Sequence, residues 1–298
     1  MQISKIGEFG LIERLGKHLK SDTSVVKGIG DDCAVVKFTR KKFLLFTCDM
    51  LSEGVDFRSK DSAYLIGRKA LAVSLSDIAA CGGRPLYCLV ALGVNKNTSV
   101  EKIDSVYKGM KDLAAKYSVN IVGGDISRLD KLTIDVSMLG EVEKKNLVLR
   151  SNARPGDIIF VSGSLGGSIR GKHLAFEPRL KEARFLVQNF KVGAMMDISD
   201  GLVQDLRHIL KASKAGAVLY EELIPLSPEA RSLKEALYMG EDFELLFTLN
   251  RNQAKRLSLK KPGFFKPIGK IVRANLGLQL IGKRKRIKPL ALNGFRHF

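Results

Sequence analysis

VVKGIGDDCAVV, residues 25–36, sets two short apolar runs around a Gly-x-Gly turn and a pair of adjacent carboxylates, Asp31 and Asp32. The runs read as strands, and the glycines and acids as the turn between them. Adjacent acids at the edge of a core repel each other and lose hydration, so they need a compensating partner. The same grammar recurs at FTCDM (46–50), SLSDIAA (74–80), VGGDIS (122–127) and MDISDGL (196–202). Each alone could be an ordinary turn, a surface acid or, for Asp200 before Gly201, a helix cap. Five together, in a chain whose net charge is +19, point to a shared purpose.

At 298 residues the chain is long enough for two domains. Its 45% hydrophobic and 27% charged content is that of a soluble globular protein. No apolar run is long enough to span a membrane, and the N-terminus lacks the apolar core of a secretory signal. Cys33, Cys48, Cys81 and Cys88 are scattered without a C-x-x-C, which suggests reduced thiols and a cytoplasmic location. Residues 251–298 hold 14 Lys and Arg and no acid, leaving only +5 for the first 250 residues. Their densest part, KRKRIK (283–288), lies in GLQLIGKRKRIKPL, which reads as strand, turn, strand. With no DNA- or RNA-binding motif beside it, it is read as a solvated hairpin rather than a nucleic-acid surface.

Outward from the opening stretch, residues 43–50 form an apolar run ending in an acid. Residues 61–80 have helical spacing, with Leu65, Ile66, Ala70 and Val73 on one face and Asp61 or Ser62 as a cap. Residues 86–94 read as a buried strand. Residues 99–117 read as a helix with Ile103, Val106, Met110 and Leu113 in a stripe. NIVGGD and KLTIDVSMLGEV supply two more strands. At ARPGDIIFVSGSLGGS a turn, a strand and a Gly/Ser-rich loop follow, so a boundary is placed near Arg150, dividing 1–149 from 150–298. The second part reads as helices at 179–190 and 202–215 and strands at AMMDIS, FELLFTL, 267–273 and 276–281. The alternation predicts an α/β (α+β) fold in two layered domains.

Clustered carboxylates are commonly neutralised by Lys or Arg, or by Mg²⁺, which takes a few carboxylates plus waters and substrate phosphates. VGGDIS lets backbone amides approach a phosphate; SGSLGGS could do the same or be a plain loop. There is no G-x-x-x-x-G-K-[ST], no H-R-D with D-F-G, and no H-E-x-x-H. That excludes P-loop nucleotide binders, protein kinases and the common zinc hydrolases.

In order, GEFGLIERL, GIGDDCAVV, TCDMLSEGVDF, KALAVSLSDIAACGGRP, VGGDIS, ARPGDIIFVSGSLG, MDISDGLVQDL, GEDFELLFTL and GFRHF resemble the thiamine-monophosphate kinase family of the aminoimidazole ribonucleotide synthetase-like (PurM-like) superfamily. The resemblance covers nearly the whole chain. It implies a homodimer whose N-terminal domains join their sheets into a barrel-like core. It also implies ATP-dependent phosphorylation of thiamine phosphate to thiamine diphosphate with several Mg²⁺ ions. Carried over by motif, Asp32, Asp49, Asp77, Asp125, Asp197 and Asp200 bind metal, with Thr47 and Cys48 flanking Asp49. Tyr107, Gly124, Asp125, Arg150 and Ser199 contact the nucleotide. Asp49, Asp125 and Arg150 are the catalytic group, and Asp56, Glu241 and Phe295 hold the acceptor.

Three positions depart from the family's pattern: Cys48, where only a backbone carbonyl suits Mg²⁺; Asp56, where histidine is usual; and Met239, where glycine is usual. The alternative is another ATP-using member of the superfamily. The first cysteine, Cys33, lies inside the GDD motif, unlike the reactive N-terminal residue of a selenophosphate synthetase. The chain given ends in Phe298, unlike the terminal cysteine of the hydrogenase-maturation type. A non-catalytic scaffold would be expected to have lost metal acids; all six are present.

Overall fold

The computed structural model describes residues 2–261, 263–282 and 285–290. The first part of the chain runs α1 (Ile3–Gly16), β1 (Val25–Lys27), β2 (Ala34–Lys37), β3 (Lys42–Ser52), α2 (Ala63–Ala80), β4 (Arg84–Val94), α3 (Val100–Tyr117), β5 (Asn120–Arg128) and β6 (Thr133–Glu143). The second runs β7 (Ile158–Val161), α4 (Lys172–Ala175), α5 (Leu180–Asn189), β8 (Val192–Asp197), α6 (Leu202–Ser213), β9 (Ala215–Tyr220), α7 (Leu233–Tyr238), β10 (Leu245–Leu249), α8 (Arg251–Lys260), β11 (Lys266–Arg273), β12 (Leu278–Ile281) and β13 (Ile287–Pro289).

Two sheets result. The first has the order β1-β2-β3-β6-β4-β5, antiparallel except for β4 with β5. It is open, with β1 and β5 at its edges. Its strands alternate as half-buried sheets should: Leu45 and Leu51 on β3, and Ile134, Val136 and Met138 on β6, face the core. The intervening Phe46, Cys48 and Met50 are exposed. The second sheet has the order β13-β12-β9-β11-β7-β10-β8. It is covered on both faces, and successive residues go to different cores. Phe160, Met195 and Phe247 join the core shared with the first part, while Ile159, Met196 and Leu246 join a second one around α6.

Helix α2 lies between the two parts. It packs on β3, β6 and α3 and also touches α4, α5 and β8. Fourteen of its 18 residues are buried, which departs from the single apolar face read from the spacing. A helix enclosed on all sides must bury its polar residues too, and Lys69, Ser74 and Ser76 are buried here. Ser62 stands at the cap position, but its side chain makes no capping hydrogen bond. At α3, by contrast, the Ser99 side chain accepts from the Lys102 amide. The predicted hairpin is β12 paired antiparallel with β13; Lys283 and Arg284 of its turn lie outside the described residues. Among the described residues no helix is long and apolar enough to cross a membrane.

Candidate active site

The acids converge where the two parts meet. Asp32 comes from the turn before β2, Asp49 from the inner face of β3, Asp77 from α2 and Asp197 from the last residue of β8. Ligand oxygens of Asp32, Asp77 and Asp197 lie within 4.8 Å of one another. Short donors hold the acids in place. Ser74 Oγ donates to Asp49 Oδ2 at 2.7 Å, Ser76 Oγ to Asp197 Oδ2 at 2.6 Å, and Thr47 Oγ1 to Asp77. Ser74, Ser76 and Asp77 all belong to α2, so one helix fixes acids from both parts.

Arg150 is the cation of the cluster. Its Nη2 donates to Asp32 Oδ1 at 2.8 Å, and its backbone amide donates to Asp31 Oδ1 at 3.1 Å. The Asp31–Asp32 turn is therefore tied to the segment joining the two sheets. Asp32 Oδ2 and Arg150 Nε are buried without hydrogen-bond partners. Burial first, then repulsion from Asp32, pushes the Asp197 carboxyl up to about 7. Burial, with Asp135 and Asp32 adding to it, pushes Asp49 up to about 6 against the Ser74 hydrogen bond. Asp77 is raised well above the usual carboxylate range by burial and by Asp49, Asp197 and Asp32. Burial works against the Arg150 charge, but Asp32, Asp31 and Asp197 outweigh it and raise its pKa. One guanidinium does not neutralise this many acids, and oxygen donors with an orphaned buried member suit a hard divalent cation.

Asp200 follows Asp197 in the loop before α6. The cap at Gly201 is the reverse of the sequence reading. The buried Asp205, from inside the helix, accepts from the amides of Asp200 and Gly201 at 3.1 and 3.0 Å. Asp200, Asp205 and His208 bring ligand atoms within 4.8 Å of one another, and burial with nearby Arg150 pushes His208 down to about 4.

Other predicted residues lie elsewhere. Cys48 points to the open face of β3, where its thiol donates to Asp135 at 3.2 Å, so its side chain does not join the cluster. Asp125 and Gly124 are exposed on the edge strand β5, three strands from β3. A Cβ on Gly124 would stand 1.8 Å from the Val90 carbonyl oxygen, so β4 and β5 approach too closely there for any other residue. Tyr107 is half-buried on α3 against the core. The Ser199 carbonyl accepts from the Glu241 amide at 2.6 Å. The SGSLGG loop is a structural turn: Ser162 Oγ donates to Glu244 and the Gly166 amide to Asp242. Those two donors are taken by buried carboxylates.

Glu241 occupies a second polar centre. Its carboxylate pairs with Lys69 Nζ and, at 2.8 Å, with His173 Nδ1. Lys69 also donates to the Asp56 carbonyl at 2.7 Å, while the Asp56 carboxylate turns back to accept from the Ser52 amide at 2.7 Å. Phe295 lies outside the described residues. Lys69, Ser74, Ser76, His173 and Asp205 were not singled out from the sequence. The only signal was polar residues at positions 69, 74 and 76 of an otherwise apolar helix.

Comparison with known proteins bears on this arrangement. The AIR synthase related protein, N-terminal domain family matches residues 30–142, and the C-terminal domain family matches residues 154–280. A thiamine-monophosphate kinase of Buchnera aphidicola subsp. Schizaphis graminum is 36% identical, over 98% of each chain. A solved structure, AaThiL complexed with AMPPCP and TMP, is 32% identical with a TM-score of 0.88, covering 100% of this chain and 99% of that one. The Escherichia coli hydrogenase maturation protein HypE is 20% identical with a TM-score of 0.73, covering 96% and 98%, a likeness of fold alone.

Proposed function

The chain belongs to the thiamine-monophosphate kinase family, and from that premise we propose that it transfers the γ-phosphoryl group of ATP to thiamine phosphate, giving thiamine diphosphate. The observation that carries this reading is the meeting of Asp32, Asp77 and Asp197 oxygens within 4.8 Å, with Asp32 Oδ2 buried and unpartnered.

The acceptor is a phosphate monoester with a second pKa of about 6, so at neutral pH it is largely a dianion. It is already a nucleophile and needs no strong general base, which fits a site rich in carboxylates. The obstacle is repulsion between two anionic phosphates. Asp32, Asp49, Asp77, Asp197 and Asp200 would hold Mg²⁺, with Thr47 and the Cys48 carbonyl beside them. Bound Mg²⁺ supplies charge neutralisation and alignment for an in-line transfer. Ser74, Ser76 and Thr47 orient the acids by donating to them. Arg150, anchored to Asp32, offers the rest of its planar fork to phosphoryl oxygens. Asp125, on the edge strand three strands from β3, would hold its ion together with the nucleotide's phosphates. We assign it, with Gly124, Tyr107 and Ser199, to the nucleotide. Glu241 and the Asp56 turn we assign to the acceptor's heterocycles, together with Phe295.

The reading includes a homodimer. Met50 and Leu89 are 64% and 50% exposed on the open face of the first sheet, with Phe46 and Tyr87 beside them, and Ile126 on the edge strand β5 is 69% exposed. An apolar face of this kind marks an interaction surface. The junction near Arg150 we take as the boundary between a metal-binding, dimerising domain and a domain that completes the site. The test is incubation with ATP, Mg²⁺ and thiamine phosphate. Thiamine diphosphate should form; no product, with phosphorylation of a different acceptor, would overturn the substrate.

A further inference from the structure

Lys69 is fully buried, yet it carries an ammonium that must be paired to be tolerated there. Its partners come from both parts of the chain: the Asp56 carbonyl after β3, and the Glu241 carboxylate before β10. His173 of α4 completes the group. Its Nδ1 lies 2.8 Å from Glu241 Oε2 and 3.2 Å from Lys69 Nζ. An ionised carboxylate only accepts, so Nδ1 carries the proton and donates to Glu241. The Lys69 contact with that nitrogen is then a close approach, and Lys69 donates to Glu241 and to the Asp56 carbonyl. Both Glu241 oxygens are thus held from behind, while its side chain stays 27% exposed. The backbone is constrained as well. Glu241 has φ of 64°, a left-handed value that is costly for a residue with a side chain. It is pinned there by its amide on Ser199 O and by Ser168 Oγ on its carbonyl, each at 2.6 Å.

Lys69 and Ser76 are seven residues apart on α2, on one face and about 10 Å apart along the axis. Ser76 holds Asp197, so the same helix carries the acid cluster at one level and the Glu241 clamp at another. A molecule with a phosphate at one end and an amine or cationic ring at the other fits that span. We propose that Lys69 is a positioning residue for the acceptor: with His173 it fixes the Glu241 carboxylate so that its open side receives the acceptor's amino or cationic heterocycle. This rests on the reading of the site as a thiamine-phosphate kinase. The hydrogen bonds of Lys69 go to Glu241 and the Asp56 carbonyl, not to the acid cluster.

The test is steady-state kinetics of Lys69→Met with thiamine phosphate and with ATP varied in turn. Wild-type turnover of thiamine phosphate is the control for the reading itself; without it that reading fails, whatever the variant does. Given wild-type turnover, the KM for thiamine phosphate should rise about tenfold or more, the scale of a hydrogen bond to a charged group. The KM for ATP should stay within about twofold. Because Lys69→Met leaves Glu241 with one fewer partner and could fail to fold, Lys69→Met/Glu241→Gln is measured beside it. Removing both charges relieves the burden on folding, so its melting temperature should recover, and its acceptor KM should equal that of Glu241→Gln alone, because Lys69 acts only through that carboxylate. A wild-type acceptor KM in whichever variant folds, or a joint rise in both KM values, would make Lys69 a domain latch only and overturn the proposal.

Discussion

Asp32 is held by Arg150 through one buried oxygen and has no partner on the other. Asp77 and Asp197 press against it, so each acid is strained by its neighbours in the metal-free protein. Asp77→Asn relieves that repulsion. We expect the variant's metal-free melting temperature to equal or exceed the wild-type value while kcat falls by about 100-fold or more, since a ligand for the stabilising ions is lost. Calorimetry and a turnover assay check both. Arg150→Met acts in the opposite sense on stability, because it leaves a buried carboxylate without its cation. A loss of about 3 kcal/mol in urea unfolding is expected, with most of it recovered in Asp32→Asn/Arg150→Met. Asp32, Asp49, Asp77 and Asp197 were legible in the sequence because each abuts an apolar run or a glycine. Lys69, His173 and Asp205 were not, because their meaning lies in partners distant along the chain.

At the scale of elements, α2 was legible as a helix but not as one enclosed on every side. Periodicity puts Leu65, Ile66, Ala70 and Val73 on one face, but it does not show that α4, α5 and β8 enclose the rest. The polar residues of α2 are the ones that hold the site. The loops after β8 and before β10 were legible as carriers of site residues, but not as neighbours. In the folded chain the two interlock: a Cβ on Gly240 would lie 1.9 Å from the Ser199 carbonyl oxygen. Gly240→Ala should therefore push Glu241 away from Ser199 and disturb both the acceptor clamp and the Asp200 loop. A destabilisation of about 1–3 kcal/mol is expected, the usual cost of overpacking, together with a higher KM for thiamine phosphate. Unchanged melting and kinetics would mean that the two loops are not coupled.

For the whole molecule, two sheets and their order of motifs were foreseeable, since strands and helices alternate through both parts. The resemblance implies a dimer, but the open sheet face with Met50, Leu89 and Tyr87 exposed, which would form its interface, is visible only once the strand register is known. On the proposed pairing of this face with a second copy, the wild type should sediment as a dimer and Leu89→Lys as a monomer. The acid cluster also sets a pH dependence. Asp49 and Asp197 titrate near 6 and 7 when folded and near 4 when unfolded. The folded metal-free chain then keeps protons that the unfolded chain has released. Their contribution to stability is largest below about pH 4 and is lost as pH rises toward 7. A bound divalent cation competes with those same protons. The rise in melting temperature on adding Mg²⁺ should therefore be larger at pH 8 than at pH 5.5.

In the proposed mechanism, acids from separate segments share divalent cations that bring two phosphates together. It is tested most directly by anomalous scattering from crystals grown with Mn²⁺ and a non-hydrolysable ATP analogue. Ions are expected within about 2.2 Å of oxygens of Asp32, Asp77 and Asp197 and also of the analogue's phosphates. Ions held by the nucleotide alone, with none of these three carboxylates ligating, would contradict it.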